Sequence, residues 1–131
     1  MRTRMYKKIF FGFIGLALLT VFFSACRVID ASTIPQNPKV YMGTAQFLQT
    51  TVTIKKGQKL DLINQATAEH KILNGEWNGT TQDKTKEANA PIVSADVLGN
   101  ARTTIGPFTT AGTYKIYCYV HQGMNLTITV Q

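Results

Sequence analysis

The last twenty residues constrain this chain more than any other stretch. Gly112 to Gln131 carries two runs of alternating character on either side of a short loop. Before the loop, Tyr114, Ile116 and Cys118 fall on one face and Thr113, Lys115 and Tyr117 on the other. After it, Leu126, Ile128 and Val130 alternate with Thr127, Thr129 and Gln131. A period of two in β-branched and aromatic residues predicts two strands joined by a tight connection. That connection holds a thiol, an imidazole and a thioether at Cys118, His121 and Met124, and His70 is the only other histidine of the chain.

A thiolate, two imidazoles and a weak axial thioether form the trigonal donor set that suits copper moving between Cu(I) and Cu(II). Zinc also accepts Cys and His, but a structural zinc takes four strong ligands and a thioether is a poor one. A dinuclear copper centre needs two bridging cysteines in the loop, where Cys118 stands alone. Haem attachment would need a Cys-x-x-Cys-His run, which the chain lacks. Gln122, beside the turn at Gly123, is the rival axial donor and is less well placed than Met124.

Gly112-Thr113-Tyr114, Tyr117-Cys118, the Cys-x2-His-x2-Met spacing over 118–124 and the closing strand resemble the C-terminal end of the cupredoxins. These are small blue copper proteins of the plastocyanin and amicyanin type. Upstream, Phe47, the alternation Thr51-Val52-Thr53-Ile54, the Lys55-Lys56-Gly57 turn and a strand ending at Asn64 are similar to the same family. Asn64-x5-His70 matches the segment that carries its first copper histidine. The resemblance implies one mononuclear type 1 copper held by His70, Cys118, His121 and Met124, with Asn64 bracing the two ligand loops by hydrogen bonds. Glu69 and Lys71 replace the proline and asparagine that often flank that histidine, a departure that bears on local rigidity and redox tuning. The resemblance further implies redox protein partners docking near His121, the more exposed histidine. Ala66, Ala68, Val120 and Gly123 would surround it, with Lys71 and Glu69 at the rim.

The rest of the chain fits around this end. At 131 residues there is room for one domain. Four basic residues precede an apolar run from Ile9 to Phe23, then Ser24-Ala25-Cys26, the parts of an export signal. The run is short for a membrane span, which needs roughly 20 residues. Phe23-Ser24-Ala25-Cys26 resembles the lipobox of bacterial lipoproteins, whose cysteine is lipidated and becomes the first residue after cleavage. Residues 1–25 are therefore read as a lipoprotein-type signal peptide and 26–38 as the lipidated Cys26 and a flexible tether. Residues 39–131 are the copper-binding domain, a monomer outside the cytoplasm, anchored to the outer face of the bacterial cell membrane or periplasmic. An uncleaved anchor or simple secretion would also place the domain outside the cytoplasm. Without Arg2, Arg4, Lys7 and Lys8, ten basic residues face seven acidic ones, and the net charge falls from +7 to +3. That charge is dispersed, so no nucleic-acid footprint is present.

Within the domain, Val40 and Met42 start a first strand, Thr51–Ile54 and Leu60–Asn64 read as a hairpin, and residues 78–91 read as a surface loop. Ile92, Val93, Val97 and Leu98 are expected to cover one edge of the core, with a further strand over 103–108. Trp77, Phe108, Tyr114 and Phe47 are expected in the core. Short strands punctuated by Gly, Pro and Asn predict an all-β protein, an antiparallel β-sandwich, with Greek-key order implied by the resemblance. A site filled by four side chains leaves no position for a substrate, so the domain is read as an electron carrier and not an enzyme. A copper carrier or buffer is the alternative, and a sandwich without metal is the plain reading of the strands alone.

Overall fold

The computed structural model describes residues 36–131, so the expected signal peptide, Cys26 and the expected tether as far as residue 35 lie outside the described residues. Ten strands follow one another: β1 (Lys39–Met42), β2 (Thr51–Ile54), β3 (Leu60–Asn64), β4 (His70–Asn74) and β5 (Glu76–Asn78), then β6 (Thr81–Asp83), β7 (Ser94–Val97), β8 (Arg102–Ile105), β9 (Gly112–Cys118) and β10 (Asn125–Val130). One sheet has the order β1-β3-β8, another β2-β10-β9-β4-β7, and β5 and β6 pair with each other. No described residue is helical.

The core forms because each sheet turns one side chain in two inward. Val40, Met42, Leu60, Leu62 and Ile105 from the smaller sheet meet Ile54, Ile72, Val97, Tyr114, Ile116, Leu126, Ile128 and Val130 from the larger. Each fully buried aliphatic side chain of this kind contributes about 1.5–3 kcal/mol of transfer free energy. Hydrogen bonds already join the residues just before β1 to β3. Asn37 Nδ2 donates to Asp61 Oδ1 at 3.0 Å, and the Pro38 carbonyl accepts from Asp61 N at 2.9 Å.

Four expectations need correction. Thr51–Ile54 and Leu60–Asn64 do not pair as a hairpin, because β2 lies beside β10 and β3 between β1 and β8. The five residues between them cross from one sheet to the other, which lets Ile54 and Leu60 enter the same core from opposite layers. Gly57 N and Lys56 N hold that crossing by donating to the carbonyls of Phe108 and Gln131 at 2.7 and 2.9 Å. For the same reason the sheets are mixed, not purely antiparallel: β1–β3 and β2–β10 are parallel pairs. Residues 78–91 are not all loop, since β5 and β6 form a hairpin turning at Gly79, whose φ of 63° suits glycine. Only half of the expected edge is covered: Val93 and Val97 are buried, whereas Ile92 and Leu98 are 84% and 61% exposed.

The hairpin also corrects the placement of Trp77, which was expected in the core, and covers Tyr117 on the outer face. Tyr117 points away from the main core yet is fully buried. Trp77, only half-buried and outside the main core, packs edge-on against it with ring centroids 6.0 Å apart.

Candidate metal centre

Strand pairing brings the distant parts of the sequence together. β4 runs antiparallel to β9 with Ile72 opposite Cys118, so His70, at the start of β4, lies at the same end of the sheet as the end of β9. β9 and β10 pair from Tyr117–Asn125 to Gly112–Val130, leaving residues 118–124 as the connection. This connection is folded on itself: Cys118 N donates to the Met124 carbonyl at 2.9 Å and Met124 N to the His121 carbonyl at 3.2 Å. Gly123 takes φ 74°, a left-handed value that a side chain would strain.

Three of the four expected donors converge. Cys118 Sγ lies 3.7 Å from His70 Nδ1 and 3.4 Å from His121 Nδ1. The donor atoms of all three residues lie within 4.8 Å of one another. A single ion with bonds of about 2.0–2.3 Å to nitrogen and sulfur can span such separations. The imidazole rings are 4.8 Å apart and tilted by 55°, so the two nitrogens approach the sulfur from different directions. Met124, the fourth, is buried beside them in sequence, while Gln122 is exposed.

The histidines differ. His70 is fully buried, and its Nε2 lies 2.9 Å from the Gly43 carbonyl. A carbonyl only accepts, so Nε2 carries the proton and Nδ1 keeps a lone pair toward Cys118. Burial pushes the His70 pKa below the ordinary value and the neighbouring His121 adds to this, against the opposing effect of the Gly43 carbonyl. Its neutral, ligand-ready form is therefore favoured. His121 is half-buried, next to exposed Val120 and Gln122.

Asn64 serves the His70 side alone. Its Nδ2 donates to the Ala68 carbonyl at 2.6 Å and to the Leu98 carbonyl at 3.0 Å. Its Oδ1 accepts from Ala66 N at 3.0 Å. These bonds tie the loop before His70 to the turn after β7, where Gly99 packs so closely on the Thr67 carbonyl that a Cβ would collide with it. With its amide engaged there, Asn64 does not brace the 118–124 connection as the resemblance implied. At the rim, Lys71 Nζ pairs with Asp96 at 2.9 Å, and both line a shallow depression with Glu69 and Val120.

Several contacts were missed from the sequence. The Gly43 carbonyl is a backbone group and leaves no signature in residue type. Trp77 Nε1 donates to the Cys118 carbonyl at 2.8 Å. Asn125 faces Trp77 with both ends of its amide, at 2.7 and 3.0 Å. A sole tryptophan and an asparagine directly after Met124 were the available hints.

Comparison with known proteins agrees with this geometry. Residues 37–131 match the family described as copper binding proteins, plastocyanin/azurin family. Plastocyanin from Ulva prolifera is 32% identical over 93 residues, covering 68% of this chain and 90% of that protein. Plastocyanin from Scenedesmus fuscus is 36% identical over the same coverage. Among solved structures, amicyanin from Paracoccus versutus superimposes with a TM-score of 0.56 at 20% identity, covering 76% of this chain and 87% of its own. A purple cupredoxin from Nitrosopumilus maritimus gives 0.57 at 16% identity, covering 72% and 100%. Fold and donor set together define a cupredoxin with one type 1 copper site. The chain belongs to the plastocyanin/azurin family of copper-binding proteins, in which copper serves electron transfer.

Proposed function

We propose that this protein carries single electrons between redox protein partners outside the cytoplasm, with its copper held by His70, Cys118, His121 and Met124. The observation that carries the reading is the buried Cys118 Sγ with two imidazole Nδ1 atoms at 3.7 and 3.4 Å, one fixed in its tautomer by Gly43. Copper bound there supplies a charge that changes by one while all of its positions are filled. The residues keep donors in place, since strands fix Cys118 and His70, and they exclude water from the thiolate. This supports a carrier and not an enzyme. Electrons would enter and leave through half-buried His121, beside exposed Val120. Partner choice would rest on Lys71, Asp96 and Glu69 at the rim.

We further propose that residues 1–25 are a signal peptide, that Cys26 bears the lipid, and that residues 26–38 tether the monomeric domain to the outer face of the membrane. Labelled fatty acid should enter the protein during bacterial expression and should not enter Cys26→Ser. Equal labelling of that variant sinks the lipid reading without touching the copper site.

A copper carrier would use the same donors and release the metal readily. After the signal only Met42 and Met124 remain as thioethers, and Met42 is buried in the core. One equivalent of copper should survive repeated oxidation and reduction beside a chelator in excess. Rapid loss in the first cycle would favour the carrier.

A further inference from the structure

The feature that the four copper donors do not explain is the β5–β6 hairpin on the outer face of the larger sheet. It is fastened from several sides. Lys115 Nζ on β9 pairs with Glu76 at 2.6 Å, and Gly75 N donates to the Lys115 carbonyl at 3.0 Å. Gly75 has φ 113° and leaves no room for a Cβ against the Asp83 carbonyl, so the base of the hairpin closes tightly. Its inner ring, Trp77, meets Tyr117 edge-on at an interplanar angle of 88°.

Its polar groups converge on the copper-bearing connection. Cys118 donates its N–H to Met124, and its carbonyl accepts from Trp77 Nε1 at 2.8 Å. Tyr119 donates its N–H to the Lys71 carbonyl at 2.7 Å, and its own carbonyl accepts from Gln82 Nε2 at 3.0 Å. At the far end of the connection, Asn125 Oδ1 accepts from Trp77 N and Asn125 Nδ2 donates to the Trp77 carbonyl. One residue is thus tied to both ends of the segment that carries Cys118, His121 and Met124.

We propose that the hairpin is a brace for the copper-bearing connection and that Trp77 is its positioning residue, fixing the Cys118 peptide and through it the thiolate. The inference rests on the copper reading above. With the N–H before its Cα and the carbonyl after it both held, Cys118 keeps its Cα–Cβ bond directed toward the two imidazoles when the charge of the site changes. The positive end of the indole N–H dipole, one residue's backbone from the thiolate, also favours the state with the additional electron. Losing that donor therefore lowers the reduction potential.

Trp77 is the sole tryptophan of the chain, so a tryptophan analogue introduced during synthesis alters this position alone. The test compares the unsubstituted protein with Trp77→Phe and with a benzothienyl analogue, in which sulfur replaces N–H and the ring shape is kept. In the copper-free protein, amide exchange at Cys118, Tyr119 and Met124 should speed up by about tenfold. Strands distant from the hairpin should keep their protection. In the copper-loaded protein, the potential should fall, the copper hyperfine splitting should change, and release to a chelator should quicken by about tenfold. Exchange, potential, splitting and release all at their unsubstituted values would overturn the proposal, and the analogue decides the matter if Trp77→Phe does not fold. Failure of the unsubstituted protein to show copper–thiolate absorption would instead overturn the copper reading. Loop exchange in the copper-free protein would then still decide whether the brace exists.

Discussion

The two histidine ends of the site are built in opposite ways. His70 begins a central strand, is sealed in the core, and has its ring fixed by the Gly43 carbonyl. Its supporting loop is held by Asn64, with one side-chain amide meeting partners in two segments. His121 sits in a surface connection held mainly by its own backbone and by the hairpin beneath. The buried end can keep a donor still through a change of metal charge. The half-open end can approach another protein. An electron carrier needs both properties, and here they are divided between the two sides of one sulfur atom.

The largest effect should follow from removing what the two ends share. Cys118→Ser should abolish the intense visible absorption of the Cu(II) protein, since no other described thiol is present to replace it. A variant as blue as the parent would dissolve the comparison, because the histidines would no longer flank the chromophore.

The next test separates the ends without copper. His70→Ala removes a fully buried ring and orphans the Gly43 carbonyl, which should cost about 2–4 kcal/mol in urea unfolding of the copper-free protein. His121→Ala should cost less than about 1 kcal/mol, as expected for a half-exposed side chain. Equal losses would mean that the two ends are not built differently.

A control lies in the smaller sheet, away from the metal donors. Burial pushes the Asp61 carboxyl up, but hydrogen bonds from Thr104 and Asn37 and the charges of Arg102 and Lys39 outweigh this and hold it below the usual value. A depressed carboxyl binds fewer protons folded than unfolded, so its contribution is complete above the ordinary Asp value near about 4. It is lost as pH falls through the lower folded value. Asp61→Asn should flatten that acid limb of the stability curve and leave the copper spectrum unchanged. An unchanged acid limb would contradict the role given to Asp61.

The alternating runs around Cys118 and the spacing to His121 and Met124 were legible because local period and local chemistry coincide there. His70 was legible as the one remaining imidazole. Which strands share a sheet was less so: Thr51–Ile54 and Leu60–Asn64 look like hairpin partners, and only burial of Ile54 and Leu60 from opposite layers separates them. The β5–β6 hairpin was hidden because three-residue strands carry too little period to register. The sequence marks Asn64 as a brace but not how far it reaches, since its partners are backbone carbonyls set by the fold. Trp77 read as core for the same reason: an indole that leaves the core to bond a peptide looks no different in sequence.

The smallest expected effect concerns the axial donor. Met124→Gln should retain a copper–thiolate protein of nearly unchanged affinity but lower its reduction potential, because a neutral soft sulfur favours Cu(I) more than an amide oxygen does. Gln122→Ala, at an exposed position, should leave the potential where it was. The reverse pattern would reassign the axial ligand.

The most direct measurement is a Cu(II) titration of the purified protein followed in the visible range. The account predicts intense thiolate-to-copper absorption that saturates at one equivalent and is bleached reversibly by one electron. A protein that stays colourless, or that saturates with no thiolate band, would contradict the assignment of Cys118, His70 and His121 to a single copper ion.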